Sequence, residues 1–76
     1  MRGDTVIVRA YGGKALVRRV WEELPGVVYV ATEENYGRLA RGVAALWPVG
    51  FHRGDVFRFE EVEEKEQPDW SRLQPY

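Results

Sequence analysis

Few side chains in this sequence are equipped for covalent or metal chemistry. There is no cysteine, which excludes disulfides and thiolate metal sites. His52 is the single histidine, and one imidazole does not make a zinc site. Ser71 is the single serine, so a nucleophilic triad would have to join it to His52, which falls in a predicted turn. Carboxylates are plentiful, yet Glu60, Glu61, Glu63, Glu64 and Glu66 crowd into one acidic run that reads as a solvated segment. An acid–base pair needs a concave, partly dry site to shift its pKa values. These residues predict a protein that is not an enzyme and carries no cofactor or metal.

Two short motifs invite functional readings and have simpler explanations. Arg2-Gly3-Asp4 and Arg53-Gly54-Asp55 repeat the tripeptide of cell-adhesion ligands. Both precede a predicted strand, where Gly-Asp serves as a turn exit. Gly12-Gly13-Lys14 lacks the longer glycine loop, the Ser/Thr and the following helix of a phosphate loop, and reads as a hairpin.

The group with the most chemical promise is Arg9, Lys14, Arg18, Arg19 and Arg58, with Tyr11 and Trp21 among them. Cations interleaved with aromatics form a surface on which phosphates pair and bases stack. That requires the first, second and fifth strands to be neighbours with these side chains on one face. The candidate binding residues are therefore Arg9, Tyr11, Arg18, Arg19, Trp21 and Arg58. The plainer alternative is a solvated sheet face whose arginine stems cover apolar surface. Farther on, Trp70, Leu73 and Tyr76 recur at a spacing of three between Pro68 and Pro75. They suit a short motif that docks on a partner or back on the domain, or else belong to a disordered tail.

The elements that must position these residues are short. A chain of 76 residues allows one domain, and 45% hydrophobic residues supply its core. Abundant Val, with 13% aromatics, leans towards β structure. The formal charge of −1 argues against a general polyanion binder. It hides an asymmetry: residues 1–59 carry nine Arg/Lys against six Asp/Glu, whereas 60–76 carry two against six. No apolar run approaches a membrane span, and the N-terminal residues show no signal peptide, which predicts a cytoplasmic protein.

Alternating apolar residues predict strands over Thr5–Tyr11, Ala15–Glu23 and Val27–Thr32, joined at Gly12-Gly13-Lys14 and Leu24-Pro25-Gly26. The second strand breaks parity, which predicts a bulge near Arg18-Arg19. Thr32 as N-cap, early acids, Arg41 and Gly42 predict a helix over Glu33–Gly42, with Tyr36, Leu39 and Ala40 on one face, capping an open barrel end. Val43–Trp47 predicts a fourth strand ended by Pro48. Gly50–Asp55 predicts a turn, and Val56–Glu60 a fifth strand. The expected organisation is a barrel over residues 1–60 and an acidic, flexible tail over 61–76.

Five strands beginning with a meander, with Pro48-Val49-Gly50-Phe51-His52-Arg53-Gly54-Asp55-Val56 before the last, resemble the SH3-like small barrel. The segment is also similar to that of small bacterial proteins of unassigned role whose strand-rich domain ends in a Val-Gly-Phe…Asp-Val stretch. The resemblance spans residues 4–60 and implies a mainly β, SH3-like five-stranded barrel with one short helix between strands 3 and 4 and an acidic C-terminal tail. It does not carry over the proline-peptide site. Where peptide-binding SH3 domains have an Ala-Leu-Tyr-Asp-Tyr type motif, this chain reads Ala10-Tyr11-Gly12-Gly13-Lys14, and two glycines replace the acidic loop. KOW and Tudor barrels share the architecture, but the sequence offers no Tudor-type aromatic cage.

Two function classes follow. The first is a protein–protein interaction module or accessory subunit, because Tyr11, Trp21, Tyr29, Trp47 and Phe57 exceed what a small core needs. Homodimerisation would bury such aromatics together with a sheet edge. The second is a nucleic-acid binder of the KOW or Tudor type, using the arginine face. The acidic run Glu60–Glu66, laid across that face, would compete with an anionic ligand.

Overall fold

The computed structural model describes residues 2–59 and 69–76. The elements are β1 (Thr5–Arg9), β2 (Ala15–Leu24), β3 (Val27–Ala31), α1 (Glu33–Arg41), β4 (Val49–His52) and β5 (Val56–Arg58). Tyr11–Gly13 and Arg53–Asp55 form single 3₁₀ turns before β2 and β5. All five strands pair antiparallel in one sheet, in the order β4-β3-β2-β1-β5. Closure into a barrel would require β4 to meet β5, and no ladder joins them among the described residues.

The turns follow from their glycines. Gly12 and Gly13 hold φ of 76° and 79°, which lets the chain reverse between β1 and β2. Gly26, at φ 80°, sits where a type II turn needs positive φ after proline. The first strand stops at Arg9, short of the expected Tyr11, because Ala10 accepts from Gly13 N–H at 3.0 Å and starts the 3₁₀ turn. The parity break in β2 is present, but the register shift falls between Val20 and Glu22, at Trp21, and not at Arg18-Arg19. Arg18 and Arg19 remain in regular register with Val6 and Thr5.

The core is a valine sheet face. Val6, Val8, Val20, Val28, Val30 and Val56 form one buried cluster, with Leu16, Phe51 and Tyr76 packed against it. Ile7 points to the other side of β1 and is also buried, as is its β5 partner Phe57. Thus β1, in the middle of the sheet's β2-β1-β5 half, is apolar on both faces.

Helix α1 begins where Thr32 Oγ1 accepts from Asn35 N–H at 3.2 Å. It ends at Gly42, whose left-handed φ of 75° lets Gly42 and Val43 N–H reach the carbonyls of Leu39 and Arg38. The helix lies between β3 and β4 in sequence and packs on β2 and β3, with Tyr36 edge-on to Trp21 at 5.7 Å.

The fourth strand differs from expectation. Val43–Trp47 has no regular structure, and the strand against β3 is Val49–His52. The reason lies at Gly50, which opposes Tyr29. A Cβ there would stand 3.1 Å from Tyr29 Cε1 and 3.2 Å from Val27 Cγ1, so a residue without a side chain lets this stretch approach β3. Pro48 precedes the strand and does not end it, a position an edge strand tolerates. The fifth strand is likewise shorter than expected, ending at Arg58, and Glu60 lies outside the described residues. No described helix is long and apolar enough to cross a membrane.

Candidate interaction surfaces

Strands β2, β1 and β5 are neighbours, as the arginine-face reading requires, but the register divides its residues. Arg9 shares the Ile7 side of β1, and Arg19 opposes Thr5 on that side. Arg18 and Arg58 both oppose Val6 and therefore project to the valine side. Tyr11 stands on the 3₁₀ turn, 99% exposed. Trp21 bulges out of β2 beside Tyr36. The six residues do not form one face.

The charges of Arg9, Arg18 and Arg19 are also engaged. Arg9 donates from Nε and Nη2 to Asp55 Oδ1 at 2.9 and 2.7 Å. Its guanidinium lies 5.4 Å from the Phe57 ring centre and 5.5 Å from that of Trp70. Arg19 donates twice to the Gly3 carbonyl, pairs with Glu33 at 3.1 Å and lies 4.1 Å over the Tyr36 ring. Arg18 donates to the Val17 carbonyl at 2.8 Å. Arg2, outside this group of six, stacks on Trp21 at 4.0 Å. These arginines act mainly as plates and clamps on aromatic rings and carbonyls.

A second surface was reached only in part by sequence reasoning. The C-terminal residues 69–76 lie along β5. Arg58 N–H donates to the Gln74 carbonyl and Tyr76 N–H to the Val56 carbonyl, each at 3.0 Å, with Pro75 bridged to Phe57. Trp70 covers Phe57 at 5.0 Å between ring centres. The Tyr76 hydroxyl donates to Asp4 at 3.1 Å, and Arg53 joins the Tyr76 carbonyl to Glu23. A turn at Asp69 starts the segment, its carboxylate accepting from the Ser71 hydroxyl and N–H. The hydroxyl bond first, then that N–H and the nearby Arg72 charge, hold the Asp69 carboxyl below its ordinary range. Residues 69–76 are therefore docked on the sheet. The rest of the expected tail, 61–68, and the acidic run Glu60–Glu66 lie outside the described residues.

The third surface is apolar. Between α1 and β4 the chain exposes Val43 (51%), Leu46 (75%) and Trp47 (87%), and Val49 on β4 follows at 59%. Strand β4 is an outer strand of the sheet, so this run adjoins a free ladder edge among the described elements. Its signal in the sequence was the apolar stretch itself, read as strand and not as surface. The concavities are shallow. One of about 520 Å³ is lined by Asp4, Glu23, Arg53, Arg58 and Tyr76, and its polar groups are largely spent on the bonds that seat Tyr76.

Fold and surfaces together define a small, mainly β protein with a five-stranded antiparallel sheet, one helix and an exposed apolar run. Comparison with protein-family models, curated proteins and solved structures returns no match.

Proposed function

We propose that this chain is a protein-interaction module or small accessory subunit that docks through the Val43–Val49 run and the adjoining β4 edge. The observation that carries the reading is the exposure of Leu46 and Trp47, at 75% and 87%, on six successive residues without regular structure. Large apolar side chains are costly to leave in water, and a buried Trp is a typical interface anchor. The β4 edge beside them, unpaired among the described residues, offers main-chain hydrogen bonds to an incoming strand. A second copy of the chain can meet both requirements, which keeps the homodimer among the candidate partners.

The sheet is proposed to be of the SH3-like kind. Support comes from the order β4-β3-β2-β1-β5, the bulged long β2 and the 3₁₀ turn before β5. A binding role in the cytoplasm, without catalysis, is part of the same proposal. Phosphate recognition of the KOW or Tudor type is the weaker reading, since the arginines are divided between two sides and Arg9, Arg18 and Arg19 are bound to carboxylates, carbonyls and rings.

Replacing Leu46 and Trp47 together by serine tests the proposal. Both are exposed, so unfolding free energy should change by no more than about 0.5 kcal/mol. The expected result is that a self-association or partner complex seen by sedimentation velocity with the parent disappears in the variant. It should also survive high salt and nuclease. A complex that ignores the substitutions, or that dissolves in salt, contradicts the reading.

A further inference from the structure

We propose that the β5 edge and the Arg9–Phe57 pair form a second binding site, a seat for an extended peptide anchored by an aromatic residue. In this reading, residues 69–76 occupy the seat as the chain's own displaceable ligand. The site lies at the opposite end of the sheet from β4 and does not rest on the reading of the Val43–Val49 run.

The occupant shows what the seat accepts. Arg58 N–H and the Val56 carbonyl hold the segment by its main chain, as a sheet edge holds an added strand. An aromatic ring lies flat enough on Phe57 to be tilted by 39°, with the Arg9 guanidinium beside both rings. Five residues on, Pro75 bridges Phe57, and Tyr76 packs on the valine cluster and reaches Asp4. A fitting partner is thus an extended segment with a large aromatic, then Pro-Tyr five and six residues later.

The hold on the occupant is incomplete. Trp70 Nε1 is buried and has no acceptor among the described residues, a desolvation cost that another aromatic would avoid. Among the described residues its ladder pairing is a single bridge, Phe57–Pro75, whereas β1 and β5 pair over three residues. Covalent connection adds to that hold. A segment of the same chain meets its seat intramolecularly, at an effective concentration on the order of millimolar. A free ligand must outcompete that tether, so the intact chain holds the seat closed.

The test uses the full chain and a fluorescent peptide with the sequence of residues 69–76, followed by anisotropy. The Trp70→Ala chain should bind the peptide about tenfold or more tightly than the parent, whose own segment competes. Adding Arg9→Met should weaken that binding about fivefold. A peptide with Phe at the Trp position should bind at least as well as the Trp form. Equal, weak binding by parent and Trp70→Ala overturns the proposal. So does a Trp70→Ala chain that loses its β-sheet circular dichroism, because the segment is then a part of the fold and not a ligand.

Discussion

Arg9 shows how a charged residue can serve a small apolar protein. Its stem leaves β1 beside Ile7, its guanidinium lies close to two rings, and its charge meets Asp55 at 2.7 Å. Both members of the pair are more than a third exposed, so the ion pair alone is worth at most about 1 kcal/mol. The aromatic contacts add about 0.5–1 kcal/mol. Arg9→Met and Asp55→Asn, measured singly and together by urea unfolding, should therefore show a coupling of about 1 kcal/mol. Arg9→Met should be the costlier of the two single changes, since it also loses the rings. No coupling would mean that Arg9 is merely a solvated surface residue, and equal single costs would mean that the rings add nothing. The sequence marked Arg9 as a cation among aromatics, which it is. It named Tyr11 and Trp21 as companions, whereas Phe57 and Trp70 hold those places. Strand pairing and the return of the C-terminal segment decide which rings meet, and neither is written in local spacing.

At the scale of elements, the legible parts are those with local chemistry. Gly12-Gly13 and Pro25-Gly26 fix turns through backbone conformation alone, and Thr32 and Gly42 fix both helix ends. The fourth strand was not legible in this way. Val43–Trp47 has strand composition, yet the edge of β3 is taken by the stretch that contains Gly50. Fit against Tyr29 and Val27, a tertiary property, overrides β propensity there. Gly50→Ala should cost about 1–3 kcal/mol, because its methyl would need those side chains to give way. Urea unfolding measures it, and hydrogen exchange should place the loss at β3 and β4. A neutral substitution would show that the close approach does not select this strand. The bulge at Trp21 belongs to the same class: the parity break announced it, but its position depends on pairing with β3.

For the molecule as a whole, apolar groups are spent unevenly. The valine cluster and the Ile7–Phe57 side are sealed, the latter with help from Trp70, while Trp47 and Leu46 are left in water. The sequence predicted surplus aromatics for an interface, and Trp47 and Tyr11 are indeed exposed, whereas Trp21 and Phe57 are packed. Which aromatics are surplus depends on where α1 and the C-terminal segment lie, so composition alone could not select them. In the proposed function the region around Trp47 is turned towards another protein. Incorporating a photo-crosslinking residue at position 47, with position 72 as an exposed control, tests this most directly in the native host. Protein adducts are expected from position 47, absent from the control and unchanged by nuclease. Adducts equally strong from position 72, adducts lost with nuclease, or none at position 47 would contradict it.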